Sequence, residues 1–171
     1  MKALLIIANE NYQDQEYEVT KKVLEKNKIE TITAAKTAGK CRGKFGAATT
    51  AVISIDDLDV SDYDAVIFIG GPGAVSYQQD VQAHLTAQEA TTQNKVLAAI
   101  CIAPTILAEA GVLEGRKATV WNNDGKQAKI LIKNGAAFTN AAVTIDGKII
   151  TANGPEAAEK FGQTIVKSLN S

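Results

Sequence analysis

Cys101 is the residue of this sequence best placed for nucleophilic chemistry. It directly follows the apolar run 96–100 and comes shortly before Pro104, where a short helical pattern begins. The chain therefore has to pass from a buried strand into a helix within about one residue, and backbone strain at such a turn is typical of nucleophiles. A thiol at a helix N-terminus lies near unpaired N–H groups and the positive end of the helix dipole, which favour the reactive thiolate. The alternative is a buried, unreactive cysteine, which is common in protein cores.

The second cysteine, Cys41, lies between Lys40 and Arg42 in a segment that resembles a loop. These basic neighbours are expected to lower the pKa of its thiol, although cysteines in loops usually have no role. The two cysteines are far apart, and the sequence contains no CxxC spacing and a single histidine. It therefore predicts neither a zinc site nor a redox pair, and a structural disulfide is not expected in a reducing compartment.

Apolar runs alternate with amphipathic segments along the chain. Strands are predicted at residues 2–8, 29–35, 65–69, 96–100 and 118–121, and helices at residues 15–26, 78–94, 103–110, 124–133 and 156–169. A hairpin is predicted at 142–152 with its turn at Asp146-Gly147, and residues 36–55 are expected to form a small excursion of strands. This alternation predicts an α/β fold whose mostly parallel sheet is covered by helices on both faces.

Composition limits the classes of function. The chain has 171 residues, 46% of them hydrophobic, and a net charge of −1 with no dense basic run. We therefore expect one globular domain over residues 1–171, and neither nucleic acid nor membrane as a partner. The apolar run at residues 3–8 is too short for a signal peptide or a spanning helix, so a cytoplasmic location is expected.

Four segments are expected at the carboxyl ends of strands, the edge where open α/β sheets carry their sites. They are residues 9–16, the turn at residues 70–73, the turn at Cys101, and residues 121–123. Trp121, the single tryptophan, lies in the last of these. It is interpreted either as an aromatic wall of a small-molecule pocket or as ordinary core or dimer packing.

The segment 96–119, which reads VLAAICIAPTILAEAGVLEGRKAT, resembles the elbow segment of the ThiJ/PfpI superfamily. The opening 2–16 and the turn 68–71 match the same superfamily in the expected order, so the resemblance spans essentially the whole chain. It implies a flavodoxin-like, three-layer sandwich with a nucleophile elbow, the sharp strand-to-helix turn that carries the cysteine. Members include intracellular proteases, enzymes of the glyoxalase and deglycase types, chaperones and redox sensors, and they are commonly homodimers.

Glu16 matches the acidic residue that the superfamily carries near the start of its first helix. The resemblance implies that this carboxyl group approaches the cysteine sulfur, where it shares a hydrogen bond and transfers protons. A carboxylate that simply favours the helix N-terminus is the alternative interpretation. Asp14 or Glu18 would be the fallback for the same role.

Gly70 and Gly71 resemble the superfamily turn whose backbone N–H faces the pocket, and the same match makes the Ile102 N–H its partner. Two such donors could stabilise an oxyanion on a substrate or on an oxidised sulfur. A tight turn that needs glycine for a positive φ is the alternative, and both can hold.

The sequence departs from the superfamily at two histidine positions. PfpI-type peptidases have a histidine directly after the cysteine, where this chain has Ile102, and another branch has one after a later strand, where it has Trp121. The only histidine, His84, falls in a polar helix and is expected at the solvated surface. A Cys–His dyad therefore requires a neighbouring subunit to supply His84, which disfavours a peptidase.

Three functions remain open from the sequence. The first is an enzyme in which Cys101 attacks a small reactive carbonyl compound, assisted by Glu16 and by the Gly71 and Ile102 amides, with no metal or cofactor. The second is a redox-sensing or stress protein that is oxidised at Cys101. The third is the disfavoured peptidase or amidase. A homodimer or higher homo-oligomer is expected in each case.

Overall fold

A seven-stranded sheet forms the centre of the structure, a computed structural model that describes all 171 residues. The twelve strands are β1 Lys2–Ile6, β2 Glu10–Tyr12, β3 Glu30–Ala35, β4 Gly39–Gly43, β5 Ala48–Ala51, β6 Ile53–Ser54, β7 Ala65–Phe68, β8 Val96–Ile100, β9 Lys117–Ala118, β10 Ala137–Phe138, β11 Val143–Asp146 and β12 Ile149–Ala152. The central sheet has the order β11-β12-β8-β7-β1-β3-β6. Its neighbouring strands are parallel except for the hairpin of β11 and β12, which confirms the predicted mostly parallel sheet.

Helices cover both faces of this sheet. They are α1 Asp14–Lys26, α2 Val81–Thr92, α3 Pro104–Glu109, α4 Gln127–Lys133 and α5 Ala158–Leu169. Because successive strand residues point to opposite faces, Leu4 and Ile6 of β1 pack in the core under α2, α3 and α4, while Ala3 and Leu5 pack in the core under α1 and α5. The predicted three-layer sandwich is confirmed.

Two small sheets lie beside the central one. Strands β2, β4 and β5 form the first, which confirms the excursion predicted at residues 36–55, although the polar segment that forms β2 carries no strand pattern. Strands β9 and β10 form the second. The first small sheet contains β2, which follows β1 closely in the chain, and it lies near the carboxyl ends of the central strands, where the candidate site is found.

The strand predicted at residues 118–121 is wrong in its extent, because β9 ends at Ala118. Beyond that residue the backbone bonds to turns and side chains instead of a neighbouring strand. The Thr119 N–H donates to Thr151 Oγ1 at 2.9 Å, and the Trp121 N–H donates to the Cys101 carbonyl at 2.8 Å. The second of these bonds places Trp121 directly beside the cysteine.

The helix predicted at residues 78–94 begins later, at Val81. Asp80 stops it from extending towards the N-terminus, since Asp80 Oδ1 accepts the Ala83 N–H at 2.9 Å and so caps the first turn. The preceding residues Pro72–Tyr77 form a separate 3₁₀ segment. This segment directly follows the glycine turn at the end of β7 and forms one side of the candidate site.

Candidate active site

Cys101 occupies a left-handed backbone conformation, with φ of +64°, between the end of β8 and the start of α3. Its N–H donates to the Ala152 carbonyl at 2.9 Å, and its own carbonyl accepts the Trp121 N–H. A residue with a side chain in this conformation costs roughly 1–2 kcal/mol. The surrounding hydrogen bonds stabilise this strained conformation. The structure thus has the sharp strand-to-helix turn that the sequence predicts.

Glu16 lies in the first turn of α1 and is completely buried. Its Oε2 atom accepts the Gly70 N–H at 3.0 Å. Its Oε1 atom has no hydrogen-bond partner of good geometry, and the thiol of Cys101 is the one side chain close enough to lower the pKa of this carboxyl group. A buried carboxyl oxygen without a firm partner beside a thiol is well placed to exchange a proton with it.

Gly70 lies between the acid and the cysteine. A Cβ atom at this position would be 2.5 Å from the Cβ of Cys101 and 2.7 Å from Glu16 Oε2, so only glycine allows this approach. The Gly70 carbonyl also accepts the N–H of Gln13, whose side-chain Oε1 in turn caps α1 by accepting the Glu16 N–H at 3.1 Å. The end of β7 and the start of α1 are therefore tied together on both sides of Glu16.

The protonation of this pair follows from its burial. Burial raises the pKa of Glu16 to about 8, against smaller opposite effects of the Cys101 thiol and the Gly70 N–H. Burial also raises the pKa of the Cys101 thiol, as does the negative charge of Glu16 once that group ionises. The acid therefore holds its proton at neutral pH and loses it near pH 8, while the thiol keeps its proton to higher pH, so the expected favouring of the thiolate at the helix N-terminus is outweighed by burial.

Two backbone donors approach the sulfur of Cys101. The N–H groups of Gly71 and Ile102 both lie close enough to lower the pKa of the thiol. Gly71 has φ of +104°, and a Cβ there would lie 2.6 Å from the Asn11 carbonyl oxygen, so this position requires glycine. These are the two donors that the resemblance implies, and they come from separate segments of the chain.

A side-chain bridge connects those two segments. Gln78, which follows the 3₁₀ segment after Gly71, donates from Nε2 to Thr105 Oγ1 at 2.8 Å. The Thr105 hydroxyl is fully buried and donates to the Ile102 carbonyl at 2.6 Å. The bridge therefore fixes the turn that carries the Ile102 N–H relative to the turn that carries the Gly71 N–H.

Cys101 opens on a pocket of about 440 Å³, although the residue itself is only 8% exposed. Trp121 forms part of the wall, at the position where the sequence places an aromatic wall or core packing. Gln13 and Pro72, from the predicted site segments 9–16 and 70–73, also line the wall. The remaining wall side chains were not singled out from the sequence: Lys44, Phe45, Val75, Gln127 and Pro155. The pocket combines an apolar surface with a few polar groups, which is typical of small-molecule sites.

Asp14 holds part of that wall in place. Its two carboxylate oxygens accept the N–H groups of Phe45 and Ala47, each at 2.9 Å, and thereby fix the turn between β4 and β5. Gly43 lies against this carboxylate so closely that a Cβ would overlap it. Asp14 is thus engaged with the backbone, and the other fallback acid, Glu18, is exposed to solvent, which leaves Glu16 as the acid beside the cysteine.

Two other residues differ from expectation. Cys41 is 2% exposed, and burial raises the pKa of its thiol, so the predicted lowering by basic neighbours is wrong. Its Sγ atom lies 3.6 Å from Asn9 Nδ2, and both cysteines are free thiols. His84 is half-buried instead of fully solvated, because its Nε2 bonds the Gln78 carbonyl at 2.7 Å, and it does not line the pocket.

Two other kinds of site are not found in the chain. No three His, Cys, Asp or Glu side chains lie together in a way that could hold a metal ion. None of the helices has the length and apolar character needed to cross a bilayer.

An α/β sandwich with a cysteine at the turn after a central strand, and a buried acid beside it, defines a class of proteins with a nucleophile elbow. The chain belongs to the DJ-1/PfpI family, whose model matches residues 1–168. It is 34% identical over 169 residues to an uncharacterised protein of Methanocaldococcus jannaschii, a match that covers 98% of this chain and 82% of the relative. It is 32% identical to an uncharacterised protein of Staphylococcus aureus, with 98% of each chain covered.

Solved structures agree with this assignment. The crystal structure of a ThiJ/PfpI domain protein from Brachyspira murdochii superposes with a TM-score of 0.95 at 28% identity, covering 99% of this chain and 96% of that one. Drosophila melanogaster DJ-1beta superposes with a TM-score of 0.87 at 26% identity, covering 98% and 89%. The superfamily resemblance drawn from the sequence is therefore confirmed.

Proposed function

We propose that the protein is an enzyme that uses Cys101 to attack small reactive aldehydes such as 2-oxoaldehydes, without a metal or cofactor. The observation that carries this proposal is the buried carboxyl group of Glu16 against the thiol. Because burial raises the pKa of Glu16 to about 8, the acid holds a proton at neutral pH and can donate it during the reaction. Membership of the family supports the same class of chemistry.

The reactive form of the pair contains one proton. The thiolate of Cys101 attacks the aldehyde carbon, a sulfur–carbon bond forms, and the carbonyl π electrons move onto oxygen. Glu16 transfers its proton to that oxygen, while the Gly71 and Ile102 N–H groups stabilise the developing charge. The product of this step is a hemithioacetal, and Glu16 is left as a carboxylate.

A 2-oxoaldehyde then allows a second stage at the same residues. The Glu16 carboxylate removes the proton from the carbon bonded to sulfur, giving an enediolate. The hydroxyl proton on that carbon's oxygen moves to the neighbouring oxygen, and Glu16 returns its proton to the adjacent carbon, giving a thioester. Water cleaves the thioester, releases a 2-hydroxy acid and restores the one-proton pair. The net reaction adds one water molecule to the oxoaldehyde, and all atoms and electrons balance.

Consumption of methylglyoxal by the purified protein tests this proposal. Cys101→Ala is expected to abolish turnover, and Glu16→Gln to reduce kcat/KM by roughly 10²–10⁴-fold, the usual contribution of a general acid or base. Cys41→Ala is the matched control and should retain wild-type activity, because Cys41 lies outside the pocket. Wild-type turnover no faster than that of Cys101→Ala would disprove the proposal.

The second candidate is a redox sensor, and the two N–H groups at the sulfur favour it because they would also stabilise an oxidised cysteine. Peroxide transfers one oxygen atom to the thiolate to give a sulfenic acid and hydroxide, and a second peroxide gives the sulfinic acid and water. Intact-mass measurement after mild peroxide treatment should then show two added oxygen atoms in Cys41→Ala and none in Cys101→Ala. A Cys101 thiol that peroxide leaves unchanged would rule this candidate out.

We propose a homodimer as the working form, as is common in the family. A pocket-facing histidine supplied by a neighbouring subunit is not needed for the aldehyde chemistry. Light scattering coupled to size exclusion tests the assembly, and a monomer at micromolar concentration would contradict it.

Peptidase activity remains disfavoured because Ile102 and Trp121 stand where the family dyads carry histidine.

A further inference from the structure

The pocket contains a single charged side chain. Of the eleven residues that line it, only Lys44 carries a charge at neutral pH, apart from the ionisable thiol itself. Lys44 takes part in none of the ion pairs of the structure, whose basic members are Lys21, Lys36 and Arg116. Its ammonium charge is therefore not compensated by a carboxylate of this chain.

The position of Lys44 is set by the backbone around it. Its N–H donates to the Tyr12 carbonyl at 2.8 Å, and Asp14 holds the N–H groups of Phe45 and Ala47. Its Nζ atom lies 5.3 Å from the centre of the Phe45 ring, which also lines the pocket. The anchored turn and this cation–π contact keep the charge at the pocket mouth.

No acidic side chain lines the pocket beside Lys44. Glu16 lies at the base of the site and is neutral at neutral pH, since burial raises its pKa to about 8. Asp14 does not line the pocket, and both of its oxygens are occupied by backbone N–H groups. The exposed Asp124 is turned towards the Gln127 side chain and the Lys126 N–H.

We infer that the pocket selects electrophiles that carry a negative charge, and that Lys44 is the residue that sets this preference. For the proposed enzyme, on which this substrate class rests, the preferred substrates are small 2-oxoaldehydes that also carry a carboxylate group. The Lys44 ammonium attracts the carboxylate while the carbonyl carbon faces Cys101. Because both side chains line the same pocket, an anionic group held by Lys44 lies in the space onto which Cys101 opens.

Alkylation of Cys101 tests this inference without requiring turnover. Iodoacetate and iodoacetamide have nearly the same shape, and only the first is charged at neutral pH. With either reagent the thiolate displaces iodide, so that a sulfur–carbon bond forms, the carbon–iodine bond breaks and iodide leaves with the electron pair. The measured quantity is the ratio of the two rate constants in the Cys41→Ala background.

Lys44→Met should lower the iodoacetate to iodoacetamide ratio by about threefold to tenfold, and Lys44→Glu should lower the ratio further. Lys40→Met is the matched control. It removes the same charge from an exposed position outside the pocket, and its ratio should change by less than about twofold. High salt should reduce the difference between wild type and Lys44→Met.

An equal effect of Lys40→Met and Lys44→Met, or no effect of either, would overturn the inference. The same proteins are then compared on 4,5-dioxopentanoate and methylglyoxal, one anionic and one neutral 2-oxoaldehyde. If the alkylation ratio depends on Lys44 but neither aldehyde is turned over, the charge preference is supported and the proposed enzyme activity is disproved. If both aldehydes are turned over but the alkylation ratio is independent of Lys44, the enzyme activity is supported and the charge preference is disproved.

Discussion

The Oε2 atom of Glu16 accepts the N–H of Gly70 at 3.0 Å, and this bond joins the start of α1 to the end of β7. It leaves Oε1 as the carboxyl oxygen free to carry a proton beside Cys101. A fully buried acid with only one firm bond is costly to ionise. The site therefore stores a proton at neutral pH, and both stability and reactivity should depend on it.

Stability is expected to fall as pH rises through the range in which Glu16 ionises. The pKa of Glu16 is about 8 in the folded chain and 4.5 ordinarily, so the folded state holds a proton that the unfolded state loses. This contribution is complete below pH 4.5 and is lost as pH rises through about 8. Its size is on the order of a few kcal/mol.

Urea unfolding of the wild type and Glu16→Gln at several pH values between about 5 and 8 measures this effect. The neutral glutamine removes the titration, so the difference in unfolding free energy between the two proteins should shift in favour of Glu16→Gln with rising pH. Other titrating groups contribute equally to both proteins. Parallel stability curves would show that Glu16 is ionised throughout.

Gly70→Ala should damage the site more than the fold. The added Cβ would lie 2.5–2.8 Å from Cys101, Glu16 and the Ile100 carbonyl, two of which are backbone or short side-chain atoms with little freedom to move. We expect a loss of about 1–3 kcal/mol in stability, and a loss of Cys101 reactivity of at least about tenfold because the acid and the thiol are pushed apart.

Gly115→Ala is the control for Gly70→Ala. Gly115 has φ of +70° and open space around its Cβ position, so alanine there costs backbone strain and no contact. It should lower stability by about 1 kcal/mol and leave the alkylation rate of Cys101 at the wild-type value. Equal loss of reactivity in both variants would assign the effect to general destabilisation.

The parts of the fold that the sequence predicts are those with local signals. The buried runs of β1, β7 and β8 are continuous and apolar, and Pro104 and Gly111 bracket α3, so these local patterns are enough to locate the turn at Cys101. The closeness of Glu16 to the thiol has no local signal. It depends on Gly70, distant from both in the chain, and is implied only by the superfamily resemblance.

The pocket wall formed by Lys44 and Phe45 could not be predicted for a related reason. Residues 36–55 have no helical or strand periodicity strong enough to place them, and the bond from Asp14 to this turn joins residues about thirty positions apart. The reversed expectation for Cys41 has a similar origin, since its pKa is set by burial in β4 and not by its basic neighbours in sequence.

The two cysteines should differ in reactivity despite both being largely buried. Cys101 borders the pocket, whereas Cys41 is 2% exposed and lies outside it. Burial raises the pKa of both thiols, so access to the reagent makes the difference. Native wild-type protein should take up one alkyl group from iodoacetamide. Native Cys101→Ala should take up none until it is unfolded, and then one. Labelling of native Cys101→Ala at the wild-type rate would contradict this assignment.

The bridge from Gln78 to Thr105 should control how well the Ile102 N–H acts on the sulfur. Since the Thr105 hydroxyl holds the Ile102 carbonyl, its loss should let the turn relax and weaken the N–H that faces the sulfur. Thr105→Val is expected to lower kcat roughly threefold to tenfold with little change in KM, because a donor that acts on developing charge contributes mainly in the transition state.

The pH dependence of alkylation separates positioning from simple destabilisation. With the Ile102 donor weakened, the thiolate of Thr105→Val forms at higher pH, whereas Thr105→Ser keeps the hydroxyl and should restore the wild-type profile. Thr86→Val removes an equally buried hydroxyl, which bonds the Gln82 carbonyl at 2.8 Å within α2, and should leave the profile unchanged. If Thr86→Val shifts the profile as far as Thr105→Val does, the bridge has no specific effect on the thiol, and the donors at the sulfur are held by the backbone of the two turns alone.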